Sequence, residues 1–288
     1  MTRTVPLAAE VRRATDTLAQ VGIASPEIDA VALAAHVLGC RPEEIRRRMI
    51  LQAAVEDAIC ERFRELVQER ANRVPLQHLT GQAHFRRLTL RVGPGVFVPR
   101  PETEVVAGAA IDAAAQWQSP LVADLCTGSG AIALAVKDEV PQARVVGVEL
   151  DGLAFEWARA NRDATGLDVE LVLGDAKTAL RDLDGLVDVV VSNPPYIPTG
   201  MVPVDPEVRD HDPELALYGG SEDGLRIPEQ VAARAAALLH PGGVLVMEHA
   251  DTHGEQLPRR LERAGEWTDV VGHRDLTGRP RFVTARRR

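Results

Sequence analysis

The stretch DLCTGSGAIAL, residues 124–134, is the strongest indication of the fold, because it joins an apolar segment to an amphipathic one through a glycine-rich turn. The residues before the turn, LVADLCT, form the near-continuous apolar run of a strand that is buried on both faces. Strand and helix patterns go on alternating through ARVVGVEL, VELVLGD, LVDVVVS and GGVLVMEHA. The sequence therefore predicts an α/β domain with a mostly parallel sheet covered by helices, closed by an antiparallel pair, WTDVVGHRD and RFVTARR.

The N-terminal part of the chain has a different texture and predicts a small helical bundle over residues 1–80. Its clearest helix is SPEIDAVALAAHVLG, in which Ser25 is the expected N-cap, Pro26 takes the first helical position and Gly39 follows the last turn. Residues 81–105 contain short apolar runs broken by glycine and proline, which predicts a hairpin connector. The α/β domain then extends over residues 106–288.

Composition excludes several classes of protein. The net charge is −9, and basic and acidic residues balance in residues 1–80, so the α/β domain carries the excess of acid. That argues against a protein that binds DNA through its phosphates, since such binding needs clustered Lys and Arg. The three cysteines have no zinc-site spacing, so we expect no metal. The chain shows no membrane-length apolar run and its start lacks the features of a secretory signal, which predicts a cytoplasmic protein.

Acidic residues follow the first three strands of the α/β domain, where ligands bind in parallel sheets. Asp124 stands at the entrance of the glycine-rich turn, Glu149 ends the next strand, and Asp175 ends the third. Glu149 can accept hydrogen bonds from both ribose hydroxyls of a nucleoside, Asp175 is within reach of an adenine amino group, and Asp151 is the expected cap of the following helix. Because Asp124 suits an ammonium group better than a pyrophosphate, the turn favours S-adenosylmethionine over a dinucleotide.

The fourth strand ends in a rigid segment, Asn193-Pro194-Pro195-Tyr196, at the same rim. The side-chain carbonyl of Asn193 and the main-chain carbonyl of Pro194 can each accept one N–H of a planar NH2 group. Fixing both hydrogens aims the nitrogen at a methyl donor, while Tyr196 can stack on the planar group. The residues alone leave an amide and an adenine amino group both open as methyl acceptors.

Over essentially its full length the chain resembles the HemK/PrmC family of protein-(glutamine-N5) methyltransferases. The segments that carry the resemblance are GQAHF, VFVPRPETE, DLCTGSGAIAL, SNPPYIP and PEVRDHDPELALYGGSEDGL; PRPETE and the pattern AL.GG..DGL are specific to the family. The resemblance implies a class I methyltransferase with a Rossmann-like, mostly parallel seven-stranded sheet and a small N-terminal helical domain. We expect that domain to recognise the substrate, because of its position and because the chemistry lies outside it. It also implies methyl transfer from S-adenosylmethionine, which leaves as S-adenosylhomocysteine, to the glutamine of the Gly-Gly-Gln motif in class 1 peptide chain release factors.

The resemblance and the strand ends together give a set of predicted site residues. Asn193, Pro194, Pro195 and Tyr196 form the expected substrate site, with Asn193, Pro194 and Tyr196 as its catalytic members. The predicted cofactor-binding residues are Asp124, Cys126, Thr127, Gly128, Ser129, Gly130, Glu149, Asp175, Ala176 and Asn193. The chain departs from the family pattern at Cys126, where glycine is commonest, at Glu149, where aspartate is more usual, at Asp212, where glutamate is typical, and at Ala176, where an aromatic residue is often found.

Alternative functions with the same chemistry are a glutamine methyltransferase acting on a ribosomal protein and a DNA adenine-N6 methyltransferase. The DNA enzyme requires a basic cleft and a sizeable target-recognition domain, neither of which the sequence shows. A binding module without cofactor is disfavoured by the intact Gly128, Gly130 and Asn193. We further expect a monomer whose partners are release factors, Arg100 as a brace of the connector, and Arg286–Arg288 as a solvated tail.

Overall fold

The structure is a computed structural model that describes residues 4–288. Those residues form two units. The first unit ends at Gln82 and also contains Pro203–His211, and the second comprises Ala83–Val202 and Asp212–Arg288. No helix within residues 4–288 is long and apolar enough to cross a membrane.

The first unit is a helical bundle with a two-stranded antiparallel sheet. Its core contains Leu18, Leu33 and Ile45, which are fully buried. The helix predicted after Ser25 is present and ends at Gly39 in a left-handed conformation, although the Ser25 side chain makes no capping hydrogen bond. The elements are β1 (Thr4–Pro6), α1 (Leu7–Gln20), α2 (Pro26–Leu38), α3 (Pro42–Ile50), β2 (Ala54–Glu56), α4 (Asp57–Ala71) and α5 (Leu76–Thr80).

The second unit begins with the predicted hairpin and continues into a seven-stranded sheet. The hairpin pairs β3 (Gln82–Phe85) with β4 (Leu88–Arg91). The sheet strands are β5 (Leu121–Leu125), β6 (Arg144–Glu149), β7 (Val169–Leu173), β8 (Val187–Ser192), β9 (Leu239–Glu248), β10 (Trp267–Arg274) and β11 (Pro280–Arg287). Their order is β10-β11-β9-β8-β5-β6-β7, and β11 runs opposite to the other six strands. The predicted fold, a mostly parallel sheet with an antiparallel end, is confirmed.

Both faces of this sheet are buried, which explains its near-continuous apolar strands. Successive residues of β8 point to opposite sides, so that Val189 and Val191 belong to one core cluster and Val190 to the other. The remaining helices are α6 (Thr103–Ala114), α7 (Ala131–Glu139), α8 (Gly152–Thr165), α9 (Pro206–His211), α10 (Glu214–Leu217), α11 (Arg226–Leu238) and α12 (Gln256–Ala264). The core therefore lies above and below the sheet, and the carboxyl ends of its parallel strands are left to form a rim.

The segment Pro203–His211, which contains α9, belongs to the first unit, whereas the sequence analysis includes it in residues 106–288. The contact that holds it is ionic: the buried guanidinium of Arg70 pairs with Glu207 at 2.7 Å and with Asp29 at 2.7 Å. A buried cation needs such partners, because an unpaired one is strongly destabilising. The pairing joins residues that are distant in the chain, and no local pattern indicates it.

The expectation of a solvated arginine tail is wrong. Strand β11 extends to Arg287, and the last arginines donate hydrogen bonds to main-chain carbonyls. Arg286 binds the carbonyl of Gly242 at 3.1 Å, Arg287 that of Ala236 at 2.8 Å, and Arg288 that of Trp267 at 3.0 Å. These arginines hold the end of β11, which lies between β10 and β9 in the sheet.

Candidate active site

Asp124 braces the glycine-rich turn from inside the protein. Its carboxyl is fully buried, and Oδ2 accepts hydrogen bonds from the hydroxyl of Thr127 at 2.6 Å and from the amide of Ala133 at 3.1 Å. Burial raises the pKa of Asp124 to about 7, against the effect of these two donors. Within residues 4–288, Oδ1 has no hydrogen-bond partner. The predicted role of Asp124 toward an ammonium group thus depends on this second oxygen.

The turn itself has a left-handed backbone at three positions. Gly128 and Gly130 have φ of +57° and +84°, and Cys126 has φ of +68°. A side chain in this conformation costs about 1–2 kcal/mol, so Cys126 carries a backbone strain that a glycine would not. Burial raises the pKa of the Cys126 thiol, so the thiol stays protonated and unreactive at neutral pH. A Cβ atom at Gly128 would meet nothing within 4 Å, so the space above the turn is open.

Glu149 is fastened to the same turn. Its Oε2 accepts a hydrogen bond from the Gly128 amide at 2.8 Å, and its Oε1 accepts from the amides of Leu150 and Asp151, each at 2.8 Å. Burial raises the pKa of Glu149, and the three amides oppose that rise. Each carboxylate oxygen offers two lone pairs, so Oε1 is saturated and Oε2 retains one lone pair, enough for one ribose hydroxyl rather than the two expected from the sequence. Asp151 caps α8 as predicted, since its Oδ1 accepts from the amides of Leu153 and Ala154.

Asp175 and Ala176 follow β7 at the same rim but differ in exposure. The Asp175 carboxylate is partly exposed, accepts from the Lys177 amide at 2.9 Å and pairs with the Lys177 ammonium at 3.2 Å. Ala176 is buried within one of the two core clusters. The prediction that this pair flanks adenine therefore rests on the side chain of Asp175 and on the main chain of Ala176.

The rigid segment begins where β8 ends. The Ser192 hydroxyl donates to the carbonyl of Leu125 at 2.6 Å and ties the ends of β8 and β5 together. The Asn193 side-chain nitrogen donates to the Thr103 hydroxyl at 3.4 Å, which leaves the Asn193 oxygen on the other side of its amide. In the part of the chain that the structure describes, neither this oxygen nor the Pro194 carbonyl accepts a hydrogen bond. Two carbonyl acceptors on consecutive residues are therefore free to bind a substrate N–H.

Tyr196 is held by an acid that the sequence analysis does not identify. Its hydroxyl donates to Oε1 of Glu248 at 3.3 Å, and burial together with this carboxyl raises the pKa of the phenol. Glu248 is the last residue of β9 and is fully buried; burial raises its pKa to about 7. The sequence signal that could have identified Glu248 is its position, as an acidic residue at the end of the apolar run GGVLVME. The Tyr196 hydroxyl is therefore a neutral hydrogen-bond donor that Glu248 holds in place.

Comparison with known proteins identifies the family. Residues 11–81 match the family described as PrmC N-terminal domain, and residues 89–203 match the Methyltransferase small domain. The release factor glutamine methyltransferase of Streptomyces coelicolor is 53% identical, with 98% of each chain covered. That of Mycolicibacterium smegmatis is 48% identical over 96% of each chain. The chain belongs to the release factor glutamine methyltransferase family. This membership confirms the predicted family, the enzyme class and the cofactor, S-adenosylmethionine.

The glycine-rich turn fits the cofactor of this family. The open space above Gly128 admits a ligand close to the backbone. Glu149 lies beside that space through its bond to the Gly128 amide, and Asp124 keeps one buried oxygen without a protein partner. The turn thus combines room for a ligand with a carboxylate acceptor beside it, while a contact between the fully buried Asp124 and an ammonium group stays a prediction.

One of the two segments typical of the family, AL.GG..DGL, packs directly against the rigid segment. The Ile197 amide donates to the carbonyl of Leu217 at 2.7 Å, and the Gly219 amide donates to the carbonyl of Ile197 at 2.9 Å. A Cβ atom at Gly224, where φ is +73°, would overlap the carbonyl oxygen of Tyr196, and one at Gly219 would overlap the carbonyl oxygen of Gly224. These glycines thus support the Asn-Pro-Pro-Tyr backbone, a contact that no local sequence pattern indicates.

The other family segment, PRPETE, reaches the same place. The Arg100 guanidinium pairs with the buried carboxylate of Asp212 at 2.7 Å and lies over the ring of Phe97. Three residues later, Thr103 begins α6 and receives the hydrogen bond from Asn193. The contact agrees with the prediction that Arg100 is a brace, and the aspartate at position 212 supplies the carboxylate that the family's usual glutamate has.

Proposed function

We propose that the protein transfers a methyl group from S-adenosylmethionine to the side-chain amide nitrogen of the glutamine in the Gly-Gly-Gln motif of class 1 peptide chain release factors. The observation that carries the proposal is a pair of acceptors that have no hydrogen-bond donor among residues 4–288, the Asn193 side-chain oxygen and the Pro194 carbonyl. They follow β8, the neighbour of β5, whose end leads into the cofactor turn. The printed names of relatives 44% to 53% identical support the substrate class.

The chemical difficulty is that an amide nitrogen is a weak nucleophile. Asn193 and Pro194 address it by accepting both N–H groups, which fixes the plane of the substrate amide and points its nitrogen in one direction. Orientation of this kind lowers the activation free energy by several kcal/mol. The two carbonyl dipoles also favour the positive charge that grows on the attacking nitrogen.

S-adenosylmethionine, when bound, supplies a methyl group on a positively charged sulfur and leaves as S-adenosylhomocysteine. The bond from carbon to sulfur breaks as the bond from carbon to nitrogen forms, and the nitrogen then loses one of its protons to water. The chain does not have to supply a strong base for that step, because the proton becomes acidic once the methyl group is attached. Tyr196 does not serve as that base, because its raised pKa keeps it neutral.

The experiment that tests this function is a labelling assay. The protein is incubated with radiolabelled S-adenosylmethionine and a class 1 release factor, and in parallel with the same factor carrying Gln→Ala in the Gly-Gly-Gln motif. We expect label on the first substrate only. Equal labelling of both factors would contradict the assignment, as would preferred labelling of a ribosomal protein or of adenine in duplex DNA in parallel reactions. The enzyme is further proposed to be cytoplasmic and monomeric, and gel filtration tests its oligomeric state.

A further inference from the structure

Asn161 on α8 uses its side-chain amide to join two other parts of the second unit. Its Oδ1 accepts a hydrogen bond from the Arg91 amide at 2.6 Å, and its Nδ2 donates to the Arg91 carbonyl at 3.0 Å. Nδ2 also donates to the carbonyl of Ser129, in the glycine-rich turn, at 2.9 Å. Asn161 is 1% exposed, so water does not compete for these bonds. The residue therefore links the end of the hairpin strand β4 to the cofactor turn.

We propose that Asn161 is a positioning residue for S-adenosylmethionine, because it fixes the direction of the Ser129 carbonyl in the glycine-rich turn. It is not among the cofactor-binding residues predicted from the sequence, since it lies in the middle of a helix. The inference rests on the proposed function through the cofactor alone and makes no use of the protein substrate.

The peptide between Ser129 and Gly130 is free to reverse unless both of its ends are held. Gly130 has φ of +84°, and glycine adopts positive and negative φ with similar ease, so rotation of this peptide meets little steric resistance. The Gly130 amide donates to the carbonyl of Thr127 at 2.9 Å, which holds one end. Asn161 holds the other end. The Ser129 oxygen consequently points toward α8 and the protein interior.

Asn161 can hold this carbonyl because its own orientation is fixed. Arg91 presents an N–H and a C=O from one main-chain residue, and a carboxamide matches that pair in a single orientation. A side chain turned by 180° would place its NH2 against the Arg91 N–H and its oxygen against the carbonyls of Arg91 and Ser129. The turn also lies close to α8, since a Cβ atom at Gly130 would be 3.6 Å from the Cα and Cβ atoms of Ala158.

Fixing this peptide before the cofactor arrives favours binding. Glycines let a ligand approach the turn closely, so the ligand meets main-chain groups whose direction decides whether they attract or repel it. Without Asn161 the buried Ser129 carbonyl loses a donor, and the peptide gains a freedom that cofactor binding must then remove. The substitution should therefore weaken cofactor binding more than it slows methyl transfer by the loaded enzyme.

The first test compares two substitutions on the same helix. Asn161→Ala removes the bonds to both the turn and the hairpin, whereas Trp157→Phe removes a bond to the connector alone, from Trp157 Nε1 to the Pro94 carbonyl at 3.2 Å. We expect calorimetry to give a Kd for S-adenosylmethionine about tenfold above wild type in Asn161→Ala, which is about 1.4 kcal/mol, and within about twofold of wild type in Trp157→Phe. Equal Kd values in the two variants would overturn the positioning role.

Turnover and stability measurements on the same variants separate positioning from a general loss of structure. At saturating S-adenosylmethionine, we expect kcat of Asn161→Ala to stay within about threefold of wild type, because the substitution affects cofactor binding. Urea unfolding shows whether the variants are folded under the conditions of the calorimetry. A fall in kcat with unchanged Kd would also overturn the inference.

The second test uses the wild-type cofactor site and does not depend on the folding of Asn161→Ala. The chain contains three asparagines, Asn72, Asn161 and Asn193, so 15N-asparagine labelling gives three side-chain NH2 pairs. Asn72→Ala and Asn193→Ala assign two of them, and the third belongs to Asn161. We expect the Asn161 pair to shift when S-adenosylmethionine saturates the protein, because a ligand on the turn changes the polarisation of the Ser129 carbonyl. An Asn161 pair that does not respond to the cofactor would overturn the proposal.

The outcomes distinguish this inference from the proposed function. A wild-type protein that binds S-adenosylmethionine but leaves the release factor unlabelled overturns the proposed function, while the calorimetric comparison still decides the role of Asn161. A labelled release factor together with equal Kd values in Asn161→Ala and Trp157→Phe overturns the positioning role and leaves the proposed function intact.

Discussion

Replacing Gly224 by alanine tests whether the glycine pair supports the substrate site. A Cβ atom at this position would overlap the carbonyl oxygen of Tyr196 and would lie 2.9 Å from the amide nitrogen of Pro198. Both contacts are to the backbone, which cannot rotate away as a side chain can. The segment that carries Asn193 and Pro194 must therefore shift, by several tenths of an ångström from Pro198 and by more from the carbonyl of Tyr196.

The expected effect of Gly224→Ala has two parts, a loss of stability from the left-handed backbone and a loss of rate from displacement of the substrate site. Gly224 has φ of +73°, so alanine costs about 1–2 kcal/mol of stability through the left-handed backbone alone. The displacement adds a loss of rate, because a misplacement of about 1 Å at a reacting group lowers turnover about 100-fold. Gly166 is a matched control: its φ is +69°, it ends α8, and a Cβ atom there meets nothing within 4 Å. Gly166→Ala therefore loses stability through its backbone conformation but does not displace the substrate site.

The assay is methyl transfer to a release factor, with urea unfolding and calorimetric binding of S-adenosylmethionine measured on the same preparations. We expect kcat to fall about 100-fold in Gly224→Ala and to stay within about twofold in Gly166→Ala. Gly166→Ala should lose about 1–2 kcal/mol of unfolding free energy, and Gly224→Ala should lose more because its Cβ also overlaps the backbone. If the two variants keep equal kcat, the glycine does not position the substrate site and the steric reasoning fails.

Three further predictions concern the acceptor, the turn and pH. Asn193→Ala should abolish transfer and keep the Kd for S-adenosylmethionine within about tenfold, or about 1.4 kcal/mol; surviving activity would refute the two-acceptor mechanism. Cys126→Gly should be about 1 kcal/mol more stable than Cys126→Ala, because the two differ only by a Cβ at φ of +68°; equal urea midpoints would contradict the strain. Burial raises the pKa of Glu248 from 4.5 to about 7, so the folded state binds that proton more tightly. The resulting stabilisation, about 3 kcal/mol of unfolding free energy, is present below about pH 4.5 and is lost as pH rises through about 7. The unfolding free energy of Glu248→Gln should lack this pH dependence. A pH dependence equal to that of the wild type would contradict the raised pKa of Glu248.

The sequence predicts those parts of the site that depend on local patterns. The glycine-rich turn, the acids at the ends of β6 and β7, and the segment from Asn193 to Tyr196 each lie where an apolar run stops, and such a pattern is complete within about ten residues. The supporting residues have no such pattern. Thr103 lies 90 positions from Asn193, and Glu248 lies 52 positions from Tyr196. Their relation appears only when β9 and α6 are packed beside β8.

Proline rigidity alone therefore does not account for the substrate site. The prolines fix the main chain, and with it the Pro194 carbonyl, but they leave the side chain of Asn193 free to turn about its own bonds. A single hydrogen bond at 3.4 Å contributes about 0.5–1.5 kcal/mol, which favours one orientation of the amide by no more than about tenfold. Further support comes from Tyr196, whose hydroxyl donates to the buried carboxyl of Glu248 at 3.3 Å and so ties the end of the same segment to β9. Ionising Glu248 in a buried position lowers stability toward neutral pH, so the arrangement gives up stability where the enzyme needs an ordered acceptor.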